Sequence, residues 1–338
     1  MRTNHFQQLL SSYFLRYIPE RKNYSDNTIK SYRDTFILLF QYQEDYLNKS
    51  VAKINLETLS REYFENFLSW LENEKQYSAS SINQRLSALH AFFKYIQMEN
   101  PEYAELCALI LGIKTRKIPI VSMNYLSVEA IKLLFSLQNS STIEKRREIA
   151  ILALLYDSGA RVQEIADLTF GDIRNTKPAT VKLIGKGSKT RIIPLMPQTL
   201  DILNRYMDDC KRKREIQPTH PLFFNKRFEK LTRAGIAYIL DKYVKDARSS
   251  YPELFLGKIS PHTLRHSKAM HLLEGGVNLI YIRDFLGHTS VITTEVYAKS
   301  NPEIKRKAIE KASPNVLPVE KYSAKEKVEM IEWLKTII

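Results

Sequence analysis

The sequence predicts a mainly α protein with a small β-hairpin, an α+β chain in which an N-terminal helical bundle precedes a larger mixed domain. Three observations carry that prediction. Apolar residues recur at spacings of three and four through the first hundred positions, with few glycines or prolines among them. A stretch over 101–124 holding Pro101, Gly112, Pro119 and the basic run Lys114-Thr115-Arg116-Lys117 then reads as a linker. Beyond it, two short β-rich runs, 179–184 and 190–195, flank Gly185-Lys186-Gly187-Ser188-Lys189 as the arms of a hairpin. At 338 residues the chain is long enough for two cores. The expected boundaries are 1–105 for the bundle, 106–124 for the linker, 125–312 for the mixed domain and 313–338 for a helical tail.

The spacing predicts four helices in the bundle. The first runs over 4–17, presents Phe6, Leu9, Tyr13 and Tyr17, and stops at Pro19. The second follows Ser25 and Asp26, residues suited to an N-cap, and aligns Ile29, Tyr32, Phe36 and Phe40. The third covers 58–74 with Phe64, Phe67, Leu68 and Leu71, and the fourth follows Ser78 to Ser81 with Ile82, Leu86, Leu89, Phe93 and Ile96. These aromatic positions read as core. In the mixed domain Ser127 caps one helix, a second runs over 144–156, and Gly159 fits its C-cap. Arg161 then opens a further helical segment, and Lys186 projects from the hairpin tip. Pro261 fits a helix start, which places His262 and Arg265, spaced i and i+3, on one face near an N-terminus. There the helix dipole and unpaired N–H groups also favour an anion. His266 reads as pointing elsewhere and, with His5, His90, His220 and His271, as structural or surface. Tyr281, inside Leu279-Ile280-Tyr281-Ile282, reads as core. Thr293 to Tyr297 forms a short helix, and the tail forms another with Val328, Ile331, Leu334 and Ile338 on one stripe.

Composition narrows the function. Lys plus Arg exceed Asp plus Glu by 51 to 37, a net charge of +14, which favours a polyanionic partner and makes nucleic acid the natural candidate. No apolar run approaches the ~20 residues that span a bilayer. Met1-Arg2-Thr3-Asn4-His5-Phe6 lacks the apolar core of a signal peptide, so a soluble, unexported protein is expected. Cys107 and Cys210 make neither a disulfide framework nor a metal cluster, and both read as packing or surface thiols. No GxxxxGK[ST] segment is present to cradle a nucleotide, and no carboxylate cluster calls for magnesium. No cofactor and no metal are expected.

Against that background one polar set is informative: Arg161, Lys186, His262, Arg265, His288 and Tyr297. Two arginines, two histidines and a lysine can surround a phosphate, and a tyrosine nine residues past the last histidine can attack it. Their contexts are Gly159-Ala160-Arg161-Val162-Gln163-Glu164, Gly185-Lys186-Gly187, Pro261-His262-Thr263-Leu264-Arg265-His266 and Leu286-Gly287-His288. In that order they resemble the tyrosine recombinase family of phage integrases, Xer and Cre. Tyr24 to Ile29 and Ser80 to Leu89 are similar to the family's SAM-like core-binding domain.

The resemblance spans about residues 5–312 and implies site-specific DNA recombination. Tyr297 would attack a phosphodiester and leave a 3′-phosphotyrosine and a free 5′-hydroxyl, with a Holliday junction following. His262 would assist proton transfer at the nucleophile, His288 would donate to the phosphate, Lys186 would protonate the departing 5′ oxygen, and Glu164 would support the site. The residue types suit the task, since a phenol of pKa about 10 is a weak nucleophile and arginine holds phosphate oxygens bidentately while always charged. DNA contacts are expected at Asn27, Lys30 and Arg33 on the second helix, and at Ser80, Asn83 and Arg85 on the fourth. Lys114, Arg116 and Lys117 in the linker and Lys268 are expected to join them. The implied partners are double-stranded recombination sites, a homotetramer in the synaptic complex, where the 313–338 tail would dock on the neighbouring subunit rather than fold back on its own domain, and accessory proteins, in a bacterial or phage-encoded, nucleoid-associated cytoplasmic setting without a membrane. Lys268-Ala269-Met270 stands where many relatives carry Phe-Ala-Thr, which points toward a mobile-element or phage integrase. Two alternatives stay open, a type IB topoisomerase-like enzyme and a non-catalytic DNA-binding regulator.

Overall fold

The computed structural model describes residues 5–22, 24–118, 124–136, 141–288, 290, 294–295, 297 and 324–337. Two compact units divide the chain, Met1–Val121 and Ser122–Ile338. Among the described residues no helix is long and apolar enough to cross a membrane.

The first unit is built from α1 (His5–Ser12), α2 (Asp26–Gln41), α3 (Arg61–Asn73), α4 (Ala79–Glu99) and α5 (Ala104–Leu111). Ser25, Ser60 and Ser78 cap α2, α3 and α4, each accepting the N–H three residues on at 3.1–3.3 Å. Such a cap stabilises a helix by about 1 kcal/mol. The apolar stripes meet in an aromatic core, where Phe92 takes Tyr13 and Phe36 edge-on at 5.2 and 5.1 Å and Phe93 takes Phe64 at 5.2 Å. Edge-to-face packing adds about 0.5–1.5 kcal/mol per pair beyond area burial.

Two expectations for this unit are corrected. The first helix does not stop at Pro19: beyond α1 the chain winds on in wider π-type turns over Tyr13–Lys22, with Pro19 inside. A wider turn moves the carbonyl that the proline ring would otherwise strike. The linker does not begin at 106 either. The helix α5 buries Cys107 and Ile110, and Ile113 follows them into the bundle core.

In the second unit, α6 (Val128–Ser136) begins under the Ser127 cap, whose hydroxyl accepts the Ala130 N–H at 3.2 Å. Its centre is α7 (Ile143–Asp157), apolar at every position from Ile149 to Leu155 and therefore buried on all sides. Then follow α8 (Val162–Ala166), β1 (Ile173–Arg174), β2 (Thr180–Ile184), β3 (Thr190–Pro194), α9 (Pro197–Lys213), α10 (Arg233–Ser250), α11 (Pro261–Glu274) and α12 (Leu279–Leu286). The helices α9 and α11 pack on α7. The sheet is antiparallel in the order β1-β2-β3, with Val181 opposite Ile193 and both buried. Thus the expected hairpin carries a third short strand, β1. A satellite cluster of Ala269, Met270, Ile282, Leu286 and Tyr297 sits between α11 and α12. The tail forms α13 (Ala324–Lys335), on which Val328, Ile331, Trp333 and Leu334 are exposed, as is Ile337 beyond it; Ile338 lies outside the described residues.

Candidate active site

The site begins where α7 ends. Gly159 turns the chain with φ +55°, a left-handed conformation that penalises any Cβ. A Cβ there would also stand 3.0 Å from Phe285 Cε1 and Leu286 Cδ2. The sharp turn sets Arg161 just ahead of α8, where its backbone N–H donates to Glu164 Oε2 at 2.7 Å and its guanidinium to Glu164 Oε1 at 3.0 Å. A second bond from Arg161 Nη2 reaches the Gly287 carbonyl at 3.4 Å.

Glu164 is a buried hub rather than a solvated charge. It is 5% exposed and also receives both terminal nitrogens of Arg191, at 2.8 and 2.7 Å. Burial alone would push its carboxyl up, but the hydrogen bonds from Arg191 and the Arg161 N–H, with the charges of both guanidiniums, hold it below the usual carboxylate range. Arg191 extends the network, its Nε–H donating to the Phe285 carbonyl at 3.1 Å. The sequence reading missed Arg191, and no local signal marked it. It sits in a strand of alternating burial, and its partners lie 27 and 94 positions away.

The facing wall comes from α11. Ser260 N–H donates to Thr263 Oγ1 at 3.0 Å and Pro261 takes the first turn, so His262, Arg265 and His266 share the face of a well-started helix. Arg265 is 3% exposed and spends two of its five N–H donors on carbonyls, Gly159 O at 2.5 Å and Leu286 O at 2.6 Å. It thereby ties the end of α7 to the end of α12. Burial, then the neighbouring Arg161 charge, bring its acidity into reach of about 10.

The chain after α12 completes the wall. Gly287 caps α12 with φ +65°, and His288 follows. His288 Nδ1 lies 3.0 Å from the Thr294 hydroxyl, which leaves Nε2 as the nitrogen that can serve a ligand. Tyr297 is 1% exposed, its ring parallel to that of His288 at 6.5 Å and its hydroxyl 2.9 Å from His266 Nδ1. Thus His266 does not point elsewhere; it faces the tyrosine. Burial raises the Tyr297 phenol, and the charges of Arg265 and Arg161 pull it partway back. Burial, with the arginine charges, depresses His262 and brings His288 to about 4. The arrangement therefore joins two fixed cations, neutral imidazoles and one buried phenol, a set able to bind an anion and deliver an oxygen nucleophile to it.

Comparison with known proteins gives this constellation a family. The model described as the phage integrase family matches residues 124–303, and that of the phage integrase N-terminal SAM-like domain matches 12–100. Tyrosine recombinase XerC of Anoxybacillus flavithermus is 31% identical over 288 residues, 84% of this chain and 90% of that protein. The chain belongs to the tyrosine recombinase family. It is a site-specific recombinase by that membership. XerD of Listeria innocua is likewise 31% identical, over 84% of this chain and 91% of its own length. The fold matches that of XerH bound to palindromic difH substrate with a TM-score of 0.68 at 21% identity, covering 90% of this chain and 84% of that one. It also matches a lambda integrase (75–356) dimer bound to a COC′ core site at 0.64 and 17% identity, covering 93% and 99%.

The recombinase does not bring every expected residue into this site. The Lys186 backbone lies in the hairpin turn, next to Gly187 at φ +73°, while its side chain lies outside what the structure describes, as do Thr293 and Val296. Lys268 was expected on DNA, yet it is an internal cation, 3.1 Å from Asp157 with its ammonium 5.2 Å over the Tyr156 ring. In the first unit Asn27, Lys30 and Arg33 stand exposed on α2, with Arg33 beside Asp34 at 2.9 Å, and Ser80 is exposed on α4. Asn83 has an internal task, pairing in both directions with the Arg116 backbone at 2.7 and 2.9 Å, while the Arg116 guanidinium meets Glu72 at 3.1 Å. Arg85 reaches from α4 to the Ser31 carbonyl of α2 at 2.9 Å. Lys114 and Lys117 remain exposed. Tyr281 is 70% exposed rather than core, because its turn of α12 turns only Ile282 inward.

Proposed function

We propose that this recombinase cleaves and rejoins DNA strands with Tyr297 as nucleophile. The observation that carries the reading is the Tyr297 hydroxyl, buried beside His266 and His288 in a wall that also holds Arg265, with Arg161 joined to that wall at Gly287. Arg161 and Arg265 take the non-bridging oxygens of the scissile phosphate, where charge is concentrated in the transition state. Glu164 and Arg191 hold Arg161 in place, His288 donates to the phosphate, and Lys186 protonates the departing 5′ oxygen. The product is a 3′-phosphotyrosine and a free 5′-hydroxyl. Because the link conserves the bond, rejoining needs no nucleotide cofactor.

Two such exchanges between duplexes pass through a Holliday junction, with four copies of the chain on two double-stranded sites. Exposed Asn27, Lys30, Arg33, Lys114 and Lys117, within a chain of net charge +14, supply phosphate contacts. Lys268-Ala269-Met270 supports a mobile-element or phage setting, with accessory proteins guiding direction.

A nicked suicide duplex built on inverted repeats flanking the gene tests the reading. The wild-type chain should form a covalent adduct that survives detergent, and Tyr297→Phe should bind the same duplex and form none. An adduct from Tyr297→Phe refutes it.

A further inference from the structure

We propose that Asp157 and Lys268 are positioning residues for strand cleavage, a buried ion pair that sets Arg161 and Arg265 at the distance and angle one phosphate requires. The inference rests on the reading of those arginines as phosphate ligands and of Tyr297 as the nucleophile. Asp157 is the last residue of α7, four before Arg161, and Lys268 lies on α11, three after Arg265. The Lys268 Nζ stands 3.1 Å from Asp157 Oδ1, with the two side chains 15% and 7% exposed. The other carboxylate oxygen, Oδ2, accepts the Met196 N–H at 3.1 Å, where the chain leaves β3 and its Arg191 to enter α9. The preceding residue repeats the tie. The Lys268 ammonium lies 5.2 Å over the Tyr156 ring, whose hydroxyl is 3.0 Å from His271 Nδ1, one turn further along α11. Residues 156 and 157, just ahead of the Gly159 turn, are thus gripped by residues 268 and 271.

Stability alone does not account for the pair. A carboxylate at the C-terminal end of a helix faces the negative end of its dipole. Burying it with an ammonium also forfeits the hydration of both, and an apolar pair of similar volume is often as stable or more so. What an apolar contact lacks is direction. Two apolar faces can slide past each other with little change in energy, whereas a carboxylate hydrogen-bonded on both oxygens fixes α11 in register and rotation against the end of α7. Arg161 and Arg265 reach toward the same phosphate from those two elements, and a misplacement of about 1 Å can lower a rate on the order of 10²-fold. The bond from Arg265 to the Gly159 carbonyl joins the tip of one arginine to the turn that carries the other. The Asp157–Lys268 pair sets the backbones beneath them, and through Met196 it includes the strand that supplies Arg191.

Adduct formation on a saturating excess of the suicide duplex separates positioning from stability. Each folded chain is trapped once, so the amplitude counts folded molecules while the rate constant reports how well the bound site is arranged. Lys268→Met strands the Asp157 carboxylate and should lower both Tm and rate constant. The decisive variant is Asp157→Asn with Lys268→Met, which buries no charge and keeps an amide oxygen for the Met196 N–H. It should regain a Tm within a few degrees of wild type, bind DNA normally and give full amplitude, yet react with a rate constant about 10–10²-fold lower. A wild-type rate constant in that variant, at full or reduced amplitude, overturns the proposal and leaves the pair a matter of stability. If it does not fold, Asp157→Asn with Lys268→Leu is read by the same outcomes, and failure of both to fold also assigns the pair to stability and overturns the proposal. An adduct from Tyr297→Phe, or an undiminished rate constant in Arg161→Ala, would instead remove the reading on which the inference rests.

Discussion

Replacing Arg191 by methionine removes two hydrogen bonds to Glu164, at 2.8 and 2.7 Å, and one to the Phe285 carbonyl at 3.1 Å. The side chains concerned are 11% and 3% exposed, so water does little to screen what is lost. Breaking a buried ion pair from one side costs about 3–5 kcal/mol, because a desolvated charge is left behind. Glu164 keeps Arg161, which places the expected loss at the lower end, about 3 kcal/mol. At roughly 2–4 °C per kcal/mol for a domain of ~150–250 residues, the second unit should melt ~6–12 °C lower. Urea unfolding of the full chain at neutral pH measures the loss. A double-mutant cycle assigns it: adding Glu164→Gln to Arg191→Met removes the stranded charge and should recover all but about 1 kcal/mol, since the amide oxygen can still accept the Arg161 N–H. A single mutant that loses less than ~1 kcal/mol, or a double mutant no more stable than the single, refutes the hub.

Other expectations follow from the same geometry. The depressed Glu164 carboxyl contributes stability that is present above the ordinary glutamate value of about 4.3 and is lost as pH falls through its lower folded value; acid titration of unfolding should show that slope in the wild type and not in Glu164→Gln. Arg161→Ala should keep site binding in gel shifts while adduct formation falls by about 10² or more, because charge stabilisation is removed only from the transition state. Deleting residues 320–338, which removes the exposed apolar side chains of α13, should spare binding of one subunit and abolish strand exchange if the helix docks on a neighbouring copy. Normal recombination by the truncated chain excludes that docking.

Much of this was legible beforehand, for identifiable reasons. Serine caps and apolar stripes are local, so α2, α3 and α4 could be read directly, and the Pro261 start with His262 and Arg265 at i and i+3 gave the pocket wall. His266 was misread although its signal was present, since i and i+4 place it on the face of His262. Arg191, Lys268 and Asn83 were hidden for a different reason. Each is positioned by a partner far along the chain, and a cation that meets a distant carboxylate looks the same in sequence as one that meets a phosphate. Tyr281 failed for a third reason: one turn of uniformly apolar letters does not say which of them faces inward.

Arg161 and Arg265 carry the same chemistry but differ in how they are embedded. The Arg161 side chain is 35% exposed and leans on a carboxylate that has a second cation to hold it. Arg265 is enclosed and joins two helix ends through their carbonyls. A genetic screen for inactive alleles would therefore recover the two sites as different phenotypes. Changes at Arg161 should yield abundant protein that occupies its site and, in the four-copy assembly proposed above, poisons mixed complexes, a dominant-negative allele. Changes at Arg265 should yield protein that is cleared before it reaches DNA, a recessive one.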